Sequence, residues 1–299
     1  MPAVRGTNEG EHMASDSSPK QRFAVVTDST ADIAPPMALE RGIGVVPLAL
    51  TIAGETIADG VLSQEEFFAR MKAAPSLPTT SQPSSGAFVE VYGKALETAG
   101  SVISLHISSK LSGTVESART AAQQFAGRVH VFDSRNLSWG LAWQVIDAAN
   151  AAREGLSAPD ALARLEGVRD QVKLIVGLDS LENLRKGGRI GAVSALLGSL
   201  LNLKVTMTVD EGGSFAPLGR SRGEKAGLEY TLDWISQQMG AATRGKIAVG
   251  HALSQERAHR LAASIKQRWD VTDLVMYDAG SVVCTHTGTC WGVAVWPEA

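Results

Sequence analysis

Cysteine is scarce. Two in 299 residues cannot build a disulfide framework, so a reducing, cytoplasmic setting is the expectation. Cys284 and Cys290 do flank His286 as C-x-H-x3-C. A structural zinc takes four ligands and no fourth stands nearby in the chain, so the expectation is two incidental cysteines, no metal and no cofactor. Long apolar runs are missing as well. The longest, Ile190 to Leu203, is closed off by Arg189 and Lys204, short of the roughly 20 residues that carry a helix across a bilayer. There is no basic excess: the formal net charge is -3, which argues against general nucleic-acid binding. Neither G-x-x-x-x-G-K-[ST] nor a G-x-G-x-x-G after the first apolar run is present, so the usual nucleotide phosphate cradles are lacking. Residues 1–21 are polar, with Glu9, Glu11 and Asp16 and no apolar segment, and read as a disordered tail rather than a targeting signal.

What the chain does contain is three separated polar stretches that combine hydroxyls with glycine or proline. They are Thr79-Thr80-Ser81-Gln82-Pro83-Ser84-Ser85, Ser108-Ser109-Lys110-Leu111-Ser112-Gly113-Thr114 and Thr285-His286-Thr287-Gly288. The first two each precede a helical pattern. Hydroxyls and free N–H groups at helix starts suit a carboxylate or phosphate, so the three together suggest an anion site.

The organisation is α/β. Arg22 to Asp28, Ile43 to Leu50, Ser101 to Ile107 and Arg128 to Phe132 read as buried strands. Between them lie amphipathic stretches, such as Phe88, Val91, Tyr92 and Ala95 on one helix face and a helix opened by Ser63 with Glu66 in capping-box spacing. Strands alternating with helices predict an N-terminal Rossmann-like parallel sheet with flanking helices, with ligands beyond the carboxyl ends of its strands. After a helix-rich stretch from Leu137 to Asp170, the pattern changes. Val172 to Leu178, a hairpin of Leu203 to Val209 with Ser214 to Leu218, Lys246 to His251, Asp273 to Tyr277, Ser281 to His286 and Trp291 to Trp296 read as strands. They predict a C-terminal mixed or antiparallel sheet with helices. The expected domains are 22–165 and 166–299, and Ala192 to Leu201 is expected to form a buried helix.

Several strings resemble the DegV family: Val26-Thr27-Asp28-Ser29-Thr30-Ala31-Asp32, Thr80-Ser81-Gln82-Pro83-Ser84, Ser108 to Thr114, Leu184-Arg185-Lys186-Gly187-Gly188-Arg189-Ile190 and Thr285-His286-Thr287-Gly288. The resemblance runs in order from about Phe23 to Trp296. It implies a non-catalytic protein that holds one long-chain fatty acid between two α/β domains and presents its carboxylate to a fatty-acid kinase. By the matching motifs, Thr80 and Ser112 bind the carboxylate with Ser109 and His286 nearby, and Arg189 supports phosphotransfer or the kinase contact. The physics agrees: a buried carboxylate needs several donors, the hydroxyls supply them, and His286 can donate from either ring nitrogen and could carry charge. Leu196, Leu197, Leu200 and Leu201, beside Gly191, Ala192 and Ala195, could line a channel for the tail. One departure stands out: after His286-Thr287-Gly288 the family tends towards proline and glycine, whereas Thr289-Cys290-Trp291 follow here and could reshape the head-group pocket.

Plainer readings remain open for each residue. Ser112 could be only an N-cap, Thr80 a turn residue, His286 a satisfied buried histidine, and the leucine run plain core. Lys186 and Arg189 could terminate a helix, and Arg220 with Arg222 could be a solvated face or dock an acidic surface. The alternative function is a serine-dependent hydrolase with Ser109 or Ser112 as nucleophile and His286 as base. Neither serine sits in a G-x-S-x-G elbow, and the surrounding hydroxyls exceed what a dedicated triad requires.

Overall fold

The computed structural model describes residues 21–196 and 203–298. In chain order the first half comprises β1 (Gln21–Asp28), α1 (Pro35–Arg41), β2 (Ile43–Val46), β3 (Ala49–Ile52), β4 (Glu55–Ala58), α2 (Gln64–Ala73) and β5 (Thr79–Ser81). It continues with α3 (Ser85–Thr98), β6 (Ala99–His106), α4 (Thr114–Ala122), β7 (Val129–Asp133), α5 (Trp139–Arg153) and α6 (Ala158–Gln171). The second half comprises β8 (Lys173–Leu178), α7 (Glu182–Lys186), β9 (Leu203–Val209), β10 (Phe215–Arg222), α8 (Gly223–Met239) and β11 (Arg244–Ala252). It closes with α9 (Gln255–Arg268), β12 (Asp270–Asp278), α10 (Ser281–Thr287) and β13 (Cys290–Glu298).

The first sheet has the order β2-β1-β6-β7 and is parallel throughout. Its strands are buried on both faces, which is why they read as apolar runs rather than alternating ones. Phe88 and Tyr92 of α3 and Ala118 of α4 cover one face. The second sheet has the order β10-β9-β8-β13-β11-β12. Only its β11–β12 pair is parallel, joined through α9. Here the period-two pattern divides two cores. Leu174 and Val176 of β8 face one, while Ile175 faces the other beneath α8 and α9. The expected two-domain α/β architecture, a parallel sheet followed by a mixed one, is what forms.

Helix α5 joins the two sheets. Of its 15 residues, 13 are buried, and Leu141, Trp143 and Val145 share one cluster with Phe23 and Ile103 of the first sheet and Leu174 and Met207 of the second. A helix apolar on all sides has no solvent face to keep. A small third sheet, β4-β3-β5, sits beside the first. The α2 capping box is formed: Ser63 Oγ accepts from the Glu66 N–H at 3.2 Å and Glu66 Oε2 from the Ser63 N–H at 3.0 Å.

Three expectations change. Ile43 to Leu50 is not one strand but two, β2 and β3 in different sheets; Pro47 between them fixes φ and has no N–H to donate to a ladder. Ser281 to His286 is not a strand but helix α10. Its β-branched residues favour extended backbone locally, but Thr285 and Thr287 return their hydroxyls to the carbonyls of Ser281 and Val283, and carboxylates from elsewhere accept its first N–H groups. Of the expected helix Ala192 to Leu201, the described part is a 3-10 segment, Gly191–Leu196; the rest falls outside the described residues.

Trp291 is fully buried under α8 and α9, on the sheet face opposite Cys290. It lies across from Gly177, where a Cβ would stand 2.0 Å from its ring. Its indole N–H donates to Thr231 Oγ1 at 3.1 Å, and the Arg257 guanidinium lies 4.6 Å over the ring. Gly177→Ala should therefore lower the unfolding free energy by about 1–3 kcal/mol through overpacking, read as a shift of the urea midpoint at unchanged m-value.

Candidate functional site

A cavity of about 300 Å³ opens where the carboxyl ends of β1 and β6 meet α10. Its wall is apolar, formed by Leu48, Ile107, Leu111 and Leu137 from the first half and Phe215, Val282 and Val283 from the second. Its mouth is polar and carries Thr80, Gln82, Ser112, Arg189 and His286. Four of the five residues singled out in the sequence thus meet on one cavity, although they come from four different segments.

Each is placed by local structure. Strand β5 pairs antiparallel with β3, setting Thr80 opposite Leu50. Thr80 Oγ1 lies 2.8 Å from His286 Nε2. His286 is in the last turn of α10, and its Nδ1 is buried with no partner. A buried N–H left without an acceptor costs more than a bare lone pair, so the hydrogen belongs on Nε2 and is donated to Thr80. The Thr80 O–H is then free to donate into the cavity. Gly187 makes this packing possible, since a Cβ there would lie 2.4 Å from His286 Nδ1. Burial, and after it the charge of Arg189, pushes the His286 pKa down to about 4. It is therefore a neutral donor at neutral pH, rather than the cation its sequence context allowed.

Ser112 is one residue before the N-cap, which is Gly113. Its Oγ accepts from the Thr114 N–H at 3.3 Å and lies 2.9 Å from Thr114 Oγ1. Gly113 admits the Gln82 side chain, whose Oε1 a Cβ would approach to 2.2 Å; Gln82 Nε2 donates to Ser117 Oγ at 3.1 Å. The Thr80 segment and the start of α4 are thereby locked together. Arg189 is exposed at the rim and donates from Nη1 to the Gly187 carbonyl at 2.7 Å.

Ser109 is the exception. It is exposed, its N–H is tied to Asp133 Oδ1 at 3.3 Å, and it does not line the cavity. Ser108, which the sequence did not single out, is buried and donates to the Gly213 carbonyl at 2.7 Å across the two halves of the chain. Gly213 has φ +87°, and a Cβ there would meet Ser108 Oγ at 2.2 Å. Also unforeseen is the role of Asp28 in the first family string. Its buried carboxylate accepts from the N–H and O–H of Thr30 and from the Ile107 N–H, and lies 3.0 Å from His106 Nδ1. It binds the ends of β1 and β6 into one floor beneath the cavity. A polar string at a strand end was the available signal.

The leucine run offered as a channel lining is described only in part. Gly191, Ala192 and Ala195 are exposed and Leu196 does not line the cavity; Leu197, Leu200 and Leu201 lie outside the described residues. Leu137, Phe215, Val283 and Thr287 separate the main cavity from a narrow extension of about 20 Å³ that reaches Leu174, Met207, Tyr277 and Cys290. Nor does Trp291 reach the head-group end, because it points to the opposite face of the sheet. Thr289 instead donates to Asp179 Oδ2 at 2.9 Å.

The arrangement is that of a binding site. His286 Nε2 engages Thr80, not a serine nucleophile, so the hydrolase geometry is not assembled. A G-x-S-x-G string missed in the sequence, Gly219-Arg220-Ser221-Arg222-Gly223, does not change this. Ser221 is paired with Lys204 in the β9–β10 ladder, and its buried Oγ faces Gly227 of α8. Among the described residues no His, Cys, Asp or Glu group is arranged to hold a metal, and no helix is long and apolar enough to cross a membrane.

The DegV family model, that of an uncharacterised protein family, matches residues 22–298. A DegV domain-containing protein of Deinococcus radiodurans is 41% identical over 281 residues, covering 92% of this chain and 98% of its own. Among solved structures, a Thermus thermophilus DegV family protein described by its fatty-acid binding superposes with a TM-score of 0.89 at 36% identity, covering 93% of this chain and 100% of that one. DegV of Bacillus subtilis, described as a fatty acid binding protein, gives 0.84 at 28% identity with coverage of 93% and 100%. A match over residues 22–298 and a relative at 41% identity establish that the chain belongs to the DegV family.

Proposed function

We propose that this protein binds one long-chain fatty acid between its two domains, residues 22–165 and 166–299, and presents the carboxylate to a fatty-acid kinase without catalysis of its own. The observation that carries the reading is a cavity with an apolar interior and a mouth that gathers Thr80, Gln82, Ser112, Arg189 and His286. Its volume of about 300 Å³ is at the lower end of the range for small-molecule sites, ~300–1,000 Å³. A carboxylate drawn out of water needs hydrogen bonds to remain ionised. Thr80 can donate its O–H, Ser112 its own once rotated from Thr114, and the start of α4 adds a favourable dipole. Arg189 at the rim leaves the carboxylate open to a partner while holding positive charge where an acyl phosphate would form. The fatty-acid binding described for the Thermus and Bacillus proteins supports the same ligand class.

Mass spectrometry of organic extracts from the purified protein should find a bound acyl chain; an empty extract together with no uptake of oleate or palmitate overturns the reading. Thr80→Ala and Ser112→Ala should each weaken fatty-acid binding by about 1–3 kcal/mol, the cost of an unmet buried charged acceptor, measured by isothermal titration. Arg189→Ala should leave that affinity within twofold but slow carboxylate phosphorylation by a fatty-acid kinase with ATP. Reversed effects would exchange the assigned roles.

A further inference from the structure

Helix α10 contributes to both ends of the proposed ligand. Val282 and Val283 wall the cavity, and His286, one turn further on, meets Thr80 at its mouth. Yet the start of this seven-residue helix is held from across the domain interface. Asp32 Oδ1 accepts the Gly280 N–H at 3.0 Å, and Asp59 Oδ1 accepts the Val282 N–H at 3.1 Å. A Cβ on Gly280 would stand 2.8 Å from Asp32 Oδ1, so the contact needs glycine. At the other end Gly288 turns the chain at φ +64°, and Asn183 Nδ2 donates to the Thr285 carbonyl at 3.0 Å.

We propose that Asp32 and Asp59 are positioning residues for this site: by holding the start of α10 they set His286 and the valine wall against the ligand, and that placement varies with pH. The ligand part of the proposal rests on the fatty-acid reading of the cavity; the coupling between Asp32 and His286 does not.

Two carboxylates from separate segments meet at one interface: Asp59 is buried and Asp32 half-buried, and both line a groove of about 720 Å³. Asp32 Oδ2 also accepts from Ser138 Oγ at 2.6 Å, and Ser138 Oγ is 2.9 Å from Tyr277 Oη. Burial, and then the charges of Asp59 and Asp28, push Asp32 up to about 8, against the pull of the Ser138 and Gly280 hydrogen bonds. Asp59 is raised too, again chiefly by burial. The other groups near Asp32, namely Tyr277, Cys284 and Cys290, are all raised by burial and stay neutral through this range. On the groove side stand Glu65, Asp278, His251 and His259, of which His251 is lowered by burial.

The sign follows. Between its ordinary value of 3.8 and about 8, folded Asp32 keeps a proton that the unfolded carboxyl has lost. The stability of this contact therefore falls as pH rises through that window and is least above it. One negative charge suits the start of a helix, but a second close beside it is repelled. That repulsion acts on the acceptors of the Gly280 and Val282 N–H groups, and the displacement is carried along α10 to His286.

The test reads both ends. In ligand-free protein with 13C-labelled histidine, the His286 ring signal should shift with a midpoint near pH 8. The step should vanish in Asp32→Asn and move to lower pH in Asp59→Asn, which removes a repelling charge. In parallel, the affinity for cis-parinaric acid should fall about tenfold from pH 7 to 9.5, one pKa unit of coupling, and stay level in Asp32→Asn. A purely structural role would lower the melting temperature of the variants yet leave the His286 titration unaltered. A wild-type signal with no step near pH 8, or a step that survives Asp32→Asn, overturns the proposal. If the step behaves as expected but cis-parinaric acid binds at no pH, the positioning stands and the fatty-acid reading fails.

Discussion

Helix α5 has no side that faces water. Its residues fill the space between the inner face of the parallel sheet and the inner face of the mixed sheet, so the two domains share one core. That constraint fixes how the domains lie against each other. The cavity forms beside the amino-terminal end of α5, at Leu137, where α10 and Phe215 approach the ends of β1 and β6 without closing on them. A parallel sheet leaves its loops at the carboxyl edge of the strands, and the second domain roofs that edge.

The mouth of the cavity follows a different rule. Hydrogen-bonding groups removed from water need partners, and those without one inside the protein are available to a ligand. Thr80 and His286 are held by each other, and Ser112 by Thr114 of its own segment. Gly187, Gly113 and Gly213 permit the close approaches, each at a point where a Cβ would fall within 2.4 Å of a polar side-chain atom. The Asp28 carboxylate ties the two strand ends beneath. The site is therefore assembled from backbone clearance as much as from donors.

Much of this was legible in the chain. Apolar runs alternating with amphipathic helices announced the parallel sheet, and the later cluster of short strands announced the mixed one. The hydroxyl-rich strings pointed to an anion site, and the family resemblance singled out Thr80, Ser112, His286 and Arg189. Ser109 was misjudged against Ser108 because neighbouring loop residues carry no periodicity that says which one points inwards. The apolar cavity wall was not legible, because Ile107, Leu137, Phe215 and Val283 come from four segments that no local window contains. Trp291 looked able to crowd the head group, but strand alternation sends it to the far face, opposite Gly177.

Local interactions and hydrophobic period determined from the sequence alone the fold class, most of the elements and the polar strings that reach the cavity mouth, because these depend on neighbours a few positions away. Only the tertiary structure decided that Ser281–Thr287 is a helix, that His286 is neutral and paired with Thr80, and that Asp32 and Asp59 cap α10. Each depends on desolvation and on partners up to 248 residues distant, and burial by remote segments outweighs the local preference of a β-branched run.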